Sequence, residues 1–134
     1  MESGEGGVME LDETEGFLEG NKIVFQQTGS AYICNPPVTD TDIDYICICD
    51  GELSQAIDLL TGAGYSVTDY DDEDYPEDSV FITFRKDKIN LIVTADEDFY
   101  NKFVAATEVA KHLNLLKKSD RVMLFQAVLY GNAP

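Results

Sequence analysis

The stretch TDIDYICICD, residues 41–50, limits the fold more than any other part of the chain. After Asp42 and Asp44 it is apolar on both faces as far as Cys49, which is the pattern of a central strand covered from two sides. Asp42 and Asp44 stand two residues apart, so a strand presents both carboxylates on one face. Inward acids on an apolar strand are costly unless a cation or hydrogen bonds compensate them. A pair at this spacing can hold a hard divalent cation such as Mg²⁺. Asp40, one alternating step earlier, would be an outer group of such a site, and the competing account leaves the acids in a solvated turn ahead of the strand. Cys47 and Cys49 fall on the opposite face with Ile43 and Tyr45, as small buried hydrophobes.

Upstream, Ile23 to Phe25 forms an apolar strand leading to Gly29-Ser30, and a short helical turn to Asn35 is stopped by Pro36-Pro37. A Gly-Ser pair entering a helix offers backbone N–H groups to a phosphate. Downstream, Leu53, Ala56, Ile57 and Leu60 repeat with helical period over residues 52–61, capped by Asp50 and ended by Gly62 and Gly64. Residues 65–70, 80–84 and 89–93 read as strands, the last two joined by the polar link Arg85 to Lys88. Thr94 with Glu97 forms a capping box for a helix to Leu113, in which Phe99, Phe103, Ala106, Ala110 and Leu113 form a core-facing stripe, and Ser119 caps a last helix through Tyr130. These elements predict an α/β (α+β) domain, a mixed β-sheet with helices packed on it.

Gly29, Ser30, Asp42 and Asp44 together resemble the nucleotidyltransferase superfamily with the DNA polymerase β-like catalytic core: a Gly-Ser turn, a gap of about ten residues, then Asp-x-Asp on the next strand. Residues 89–113 and 117–131 are similar to small phage-encoded members, and the resemblance spans residues 21–131. It implies a nucleotidyltransferase-like fold that binds Mg²⁺ and a nucleoside triphosphate. Asp42 and Asp44 would be the catalytic and metal-binding residues, with Gly29, Ser30, Lys118 and Arg121 at the nucleotide. The implied chemistry is nucleotidyl transfer to a small-molecule or protein hydroxyl, with one metal on the triphosphate and another activating the hydroxyl. The third carboxylate of the family falls at Ile89-Asn90-Leu91, where an amide stands instead. An amide can ligate through its carbonyl but cannot act as a general base.

The net charge of −17 is concentrated in two segments. Residues 1–20 and 69–78 each carry seven acids and no base, while the other 104 residues hold 12 acids and nine bases. The first segment also has five glycines, and is read as a disordered, acidic tail in front of a domain at 21–134. The second supports an alternative function. In it the chain is a catalytically inactive, phage-type interaction protein that inhibits a basic, nucleic-acid-binding host protein through Asp69, Asp71, Asp72, Glu73 and Asp74. Nine scattered bases argue against direct nucleic-acid binding. No apolar run is long enough to span a membrane. Three cysteines and an N-terminus without bases before Lys22 lead to a cytoplasmic expectation, the bacterial host cytoplasm if phage-encoded.

Overall fold

The computed structural model describes residues 6–35, 42–70 and 80–130. Ten elements follow in order: α1 (Gly6–Gly20), β1 (Val24–Thr28), α2 (Ser30–Ile33), β2 (Ile43–Ile48), α3 (Leu53–Gly62), β3 (Ser66–Tyr70), β4 (Phe81–Lys86), β5 (Ile89–Thr94), α4 (Glu97–Leu113) and α5 (Lys118–Tyr130). The strands form one sheet of order β1-β2-β5-β4-β3. β2 and β5 run parallel, and every other pairing is antiparallel. The expected mixed sheet with helices packed on it is what the chain adopts.

β2 lies second in the order, between β1 and β5, which accounts for its apolar character on both faces. Tyr45 and Cys47 point to one side, into a core with Leu53, Leu60, Ile82, Phe84, Leu91 and Val93. Ile46 points to the other side and is equally buried. On that side α4 packs against β2, β1 and β5, and α5 packs on α4. Phe81 of β4 stacks on Phe99 of α4, and Phe103 meets Phe125 of α5 edge-on.

Residues 6–20 correct the expectation of a disordered tail, because they form α1. Thr14, Phe17 and Leu18 recur at three- and four-residue spacing, which places them on one helical face. Leu18 is fully buried in the core with Tyr45 and Tyr65, and Phe17 stacks on Tyr65. Two polar contacts complete the dock: Tyr45 donates to Glu15 Oε2 at 2.8 Å, and the Thr14 and Tyr65 hydroxyls lie 3.2 Å apart. Spacing, not composition, decides the helix.

The start of α4 is a second correction. Its N-cap is Asp96, whose side chain accepts from Phe99 N at 3.0 Å. Thr94 instead accepts from Asp96 N and donates to Val80 O at 2.6 Å, tying the end of β5 to the entrance of β4. The cap of α3 is likewise Glu52, not Asp50, and its side chain makes no capping hydrogen bond. The link between β4 and β5 is shorter than expected. Lys86 pairs with Ile89, so only Asp87 and Lys88 form the turn. Among the described residues no helix is long and apolar enough to cross a membrane.

Truncating Leu18 to Ala should cost about 2–5 kcal/mol, the usual range for emptying a buried leucine site. A urea midpoint unchanged in Leu18→Ala would return residues 6–20 to the status of a tail.

Candidate functional site

The register of three neighbouring strands builds the site. Asp44 of β2 pairs with Asn90 of β5, and Asn90 pairs with Arg85 of β4. Paired residues project to the same face, so a carboxylate, an amide and a guanidinium stand in a row at one level of the sheet. Asn90 Nδ2 donates to Asp44 Oδ1 at 2.9 Å, and Arg85 Nη1 donates to Asn90 Oδ1 at 3.1 Å. Asp42 closes the row. Arg85 grips it with both terminal nitrogens, each 2.9 Å from one of its carboxylate oxygens. Asp42 and Asp44 therefore do share a face, as strand alternation requires, and each already has a partner.

The two acids differ electrostatically. The Arg85 guanidinium holds Asp42 below the ordinary aspartate value of 3.8. Burial pushes Asp44 above it, against the opposing hydrogen bond from Asn90. Asp42 and Arg85 are 39% and 42% exposed, so solvent screens their ion pair and it adds little to folding. Its importance lies in which atoms it occupies.

Gly29 is required by Asp44. Its φ is +77°, and a Cβ there would run into Asp44 Oδ2. The carboxylate thus approaches the main chain through the space that a side chain would fill. Next to it, Thr28 and Thr107 are buried with their hydroxyl oxygens 2.7 Å apart. Thr107 donates to Phe103 O at 2.8 Å, so the proton between the two comes from Thr28. This pair pins the end of β1 to α4. The far end of α2 is held as well: Asn114 exchanges two hydrogen bonds with the Asn35 backbone, and Lys111 donates to Tyr32 O at 2.9 Å while lying over its ring. The Gly29-Ser30 turn is fixed from both sides.

Gly29, Ser30, Asp42, Asp44, Lys118 and Arg121 all line one cavity of about 610 Å³. Asn90 lies on its floor, and Ile92, Phe103, Val122, Phe125 and Leu129 supply apolar walls. Lys118 enters from the first turn of α5. Arg121 is committed elsewhere: its Nη1 donates to Leu115 O and Leu116 O, both at 2.8 Å, and contacts Cys34 Sγ at 3.4 Å. It fastens the α4–α5 connection against the end of α2. The apolar walls were not anticipated, since residues such as Phe103 read from sequence only as a core stripe. Nor was Arg85, placed in a polar link by a turn counted two residues too long. Asp40 and Asp71, Asp72, Glu73 and Asp74 lie outside the described residues, as does the side chain of Asp69.

Mg²⁺ fits this donor set poorly. Both Asp42 oxygens accept from Arg85, Asp44 Oδ1 accepts from Asn90, and the third position offers an amide. Among the described residues, no group of three or more His, Cys, Asp and Glu side chains could hold a metal ion.

No protein-family model and no curated protein matches the sequence. Solved structures of similar shape include the conserved protein GrpB from Enterococcus faecalis, at 16% identity and a TM-score of 0.47, covering 92% of this chain and 90% of that one. Another is terminal uridylyl transferase 4 from Trypanosoma brucei with bound UTP and UpU, at 10% identity and a TM-score of 0.44. That match covers 79% of this chain and spans 40% of the transferase. At such identities neither structure assigns a role to any residue here.

Carboxyl-carbon NMR should find Asp44 titrating above 3.8 and Asp42 below it. Because the Asp44 value is raised, its share of stability falls as pH rises from 3.8 through its folded value. For Asp42 the value is lowered, so its share is present above 3.8 and lost as pH falls below it. Arg85→Met should move both titrations upward, and an unmoved Asp42 would refute the fork. Separately, Gly29→Ala should cost about 1–3 kcal/mol in a denaturant series, from strain at its positive φ.

Proposed function

We propose that this chain is a nucleotide-binding protein of the nucleotidyltransferase type, whose pocket takes a nucleoside triphosphate without passing a nucleotidyl group to a small-molecule or protein hydroxyl. The observation that carries this is the meeting of Gly29, Ser30, Asp42, Asp44 and Lys118 on one cavity whose acids are already engaged. The cavity volume lies in the range of small-molecule sites, about 300–1,000 Å³. An apolar wall of Ile92, Phe103, Val122 and Leu129 suits the flat face of a base, and Lys118 suits the phosphates. Arg121 has a structural commitment, so Lys118 carries more of that charge than the sequence led one to expect.

Transfer is disfavoured for a chemical reason. Moving a nucleotidyl group requires a deprotonated hydroxyl, prepared by a base or a metal ion. Asn90 offers no base where the superfamily has a carboxylate, and Arg85 holds Asp42 in a fork. This adopts the non-catalytic half of the alternative reading. A basic protein partner at the acidic segment, residues 69–78, remains a separate proposal that rests on charge alone.

Calorimetric titration of ATP, GTP, CTP and UTP tests the binding. Saturable one-to-one heat with at least one of them is expected, weakened about tenfold or more by Lys118→Glu. No heat with any of the four, from folded protein, would sink the nucleotide reading. Pyrophosphate release in Mg²⁺ with added hydroxyl acceptors would instead overturn the claim that transfer is lost.

A further inference from the structure

The row formed by Asp44, Asn90 and Arg85 alternates acceptor, donor, acceptor and donor without a gap. Asn90 gives its Nδ2 to Asp44 and takes Arg85 on its Oδ1. An amide is the side chain that can do both. A carboxylate at this position would meet Asp44 as a like charge, and an apolar residue would leave buried polar atoms unpaired. Asn90 thus links Asp44 to Arg85, while Arg85 holds Asp42 directly. Arg85 covers both oxygens of Asp42, which are the atoms a divalent ion would need. An ion arriving there would have to displace a bidentate guanidinium and then remain beside its charge.

We propose that Arg85, which grips Asp42 from beside the cavity, is the resident cation of the acid pair where the resemblance implies a divalent metal, so that the pair is closed to Mg²⁺ and the pocket takes phosphate-bearing ligands without one. The charge arithmetic agrees. Asp42 and Asp44 contribute two negative charges, Arg85 returns one, and Lys118 lines the same cavity. The metal half stands on geometry alone. The ligand half rests on the nucleotide reading above.

The test uses Mn²⁺ as a paramagnetic stand-in for Mg²⁺ on the full chain, read by broadening of individual backbone amide signals. Acidic segments elsewhere will collect Mn²⁺ weakly, so the readout is confined to the amides of Thr28, Gly29, Asp44 and Asn90. In the wild type these four should stay sharp while acidic-segment signals broaden. In Arg85→Met/Asn90→Asp, which removes the guanidinium and restores a third carboxylate, the same four should broaden at Mn²⁺ levels about tenfold lower or less. If that pair does not fold, Arg85→Met alone serves in its place. Broadening of the four signals in the wild type overturns the proposal, and so does their persistence in a folded variant. In a second arm, ATP is titrated in EDTA and then in Mg²⁺. Affinities equal within about threefold are expected, and loss of binding in EDTA would overturn the metal-free claim. Absence of ATP heat in both buffers would fail the nucleotide reading alone and leave the Mn²⁺ result standing.

Discussion

The site depends on the parallel pairing of β2 with β5. That register puts Asp44 opposite Asn90, and the tight β4–β5 turn then puts Arg85 opposite Asn90 from the other side. The turn is local, but Asp44 and Asn90 stand 46 residues apart in sequence and meet only through the pairing of their strands. A slip of one residue along β2 would turn both acids toward the aromatic core around Tyr45 and Phe84. The burial of Tyr45 and Cys47 on one face and Ile46 on the other makes such a slip expensive. The hydrophobic pattern of β2 thus secures a polar constellation to which it contributes no polar atom beyond its first turn of sequence.

Around that row the fold divides its work. One face of the sheet carries α1 and α3 over an ordinary apolar core. The other carries α2 and α4, with α5 laid on α4, and leaves an opening above the acids. The threonine pair at Thr28 and Thr107, and the contacts of Lys111, Asn114 and Arg121, hold the rim of that opening. Most of the polar contacts near the pocket brace its walls.

Much of this was legible in the sequence. The strand character of residues 43–49, the helical stripe from Phe99 to Ala110 and the shared face of Asp42 and Asp44 follow from periodicity, which depends on few interactions. Arg85 was not legible for a geometric reason. Read as a four-residue link, residues 85–88 are a solvated turn; read as a two-residue turn, they deliver Arg85 into the row. Helix α1 was hidden in a different way, because seven acids and five glycines outnumber the large apolar residues of residues 1–20. Arg121 shows a third limit: which bases of the late helices face the pocket is not readable from the sequence, and its carbonyl partners depend on how the α4–α5 connection turns.

The close approach of Gly29 and Asp44 has a bearing on how such sequences are interpreted. Asp44 in this position needs Gly29 for steric reasons, whether or not a ligand ever enters the pocket. Natural selection for folding alone would then preserve a glycine ahead of the turn. The pattern that most resembles a catalytic signature can outlive catalysis as a piece of masonry. In a lineage of this kind, drift in chemical role should be sought at the neighbours of that pair, at the positions held here by Arg85 and Asn90, before it is sought in the pair itself.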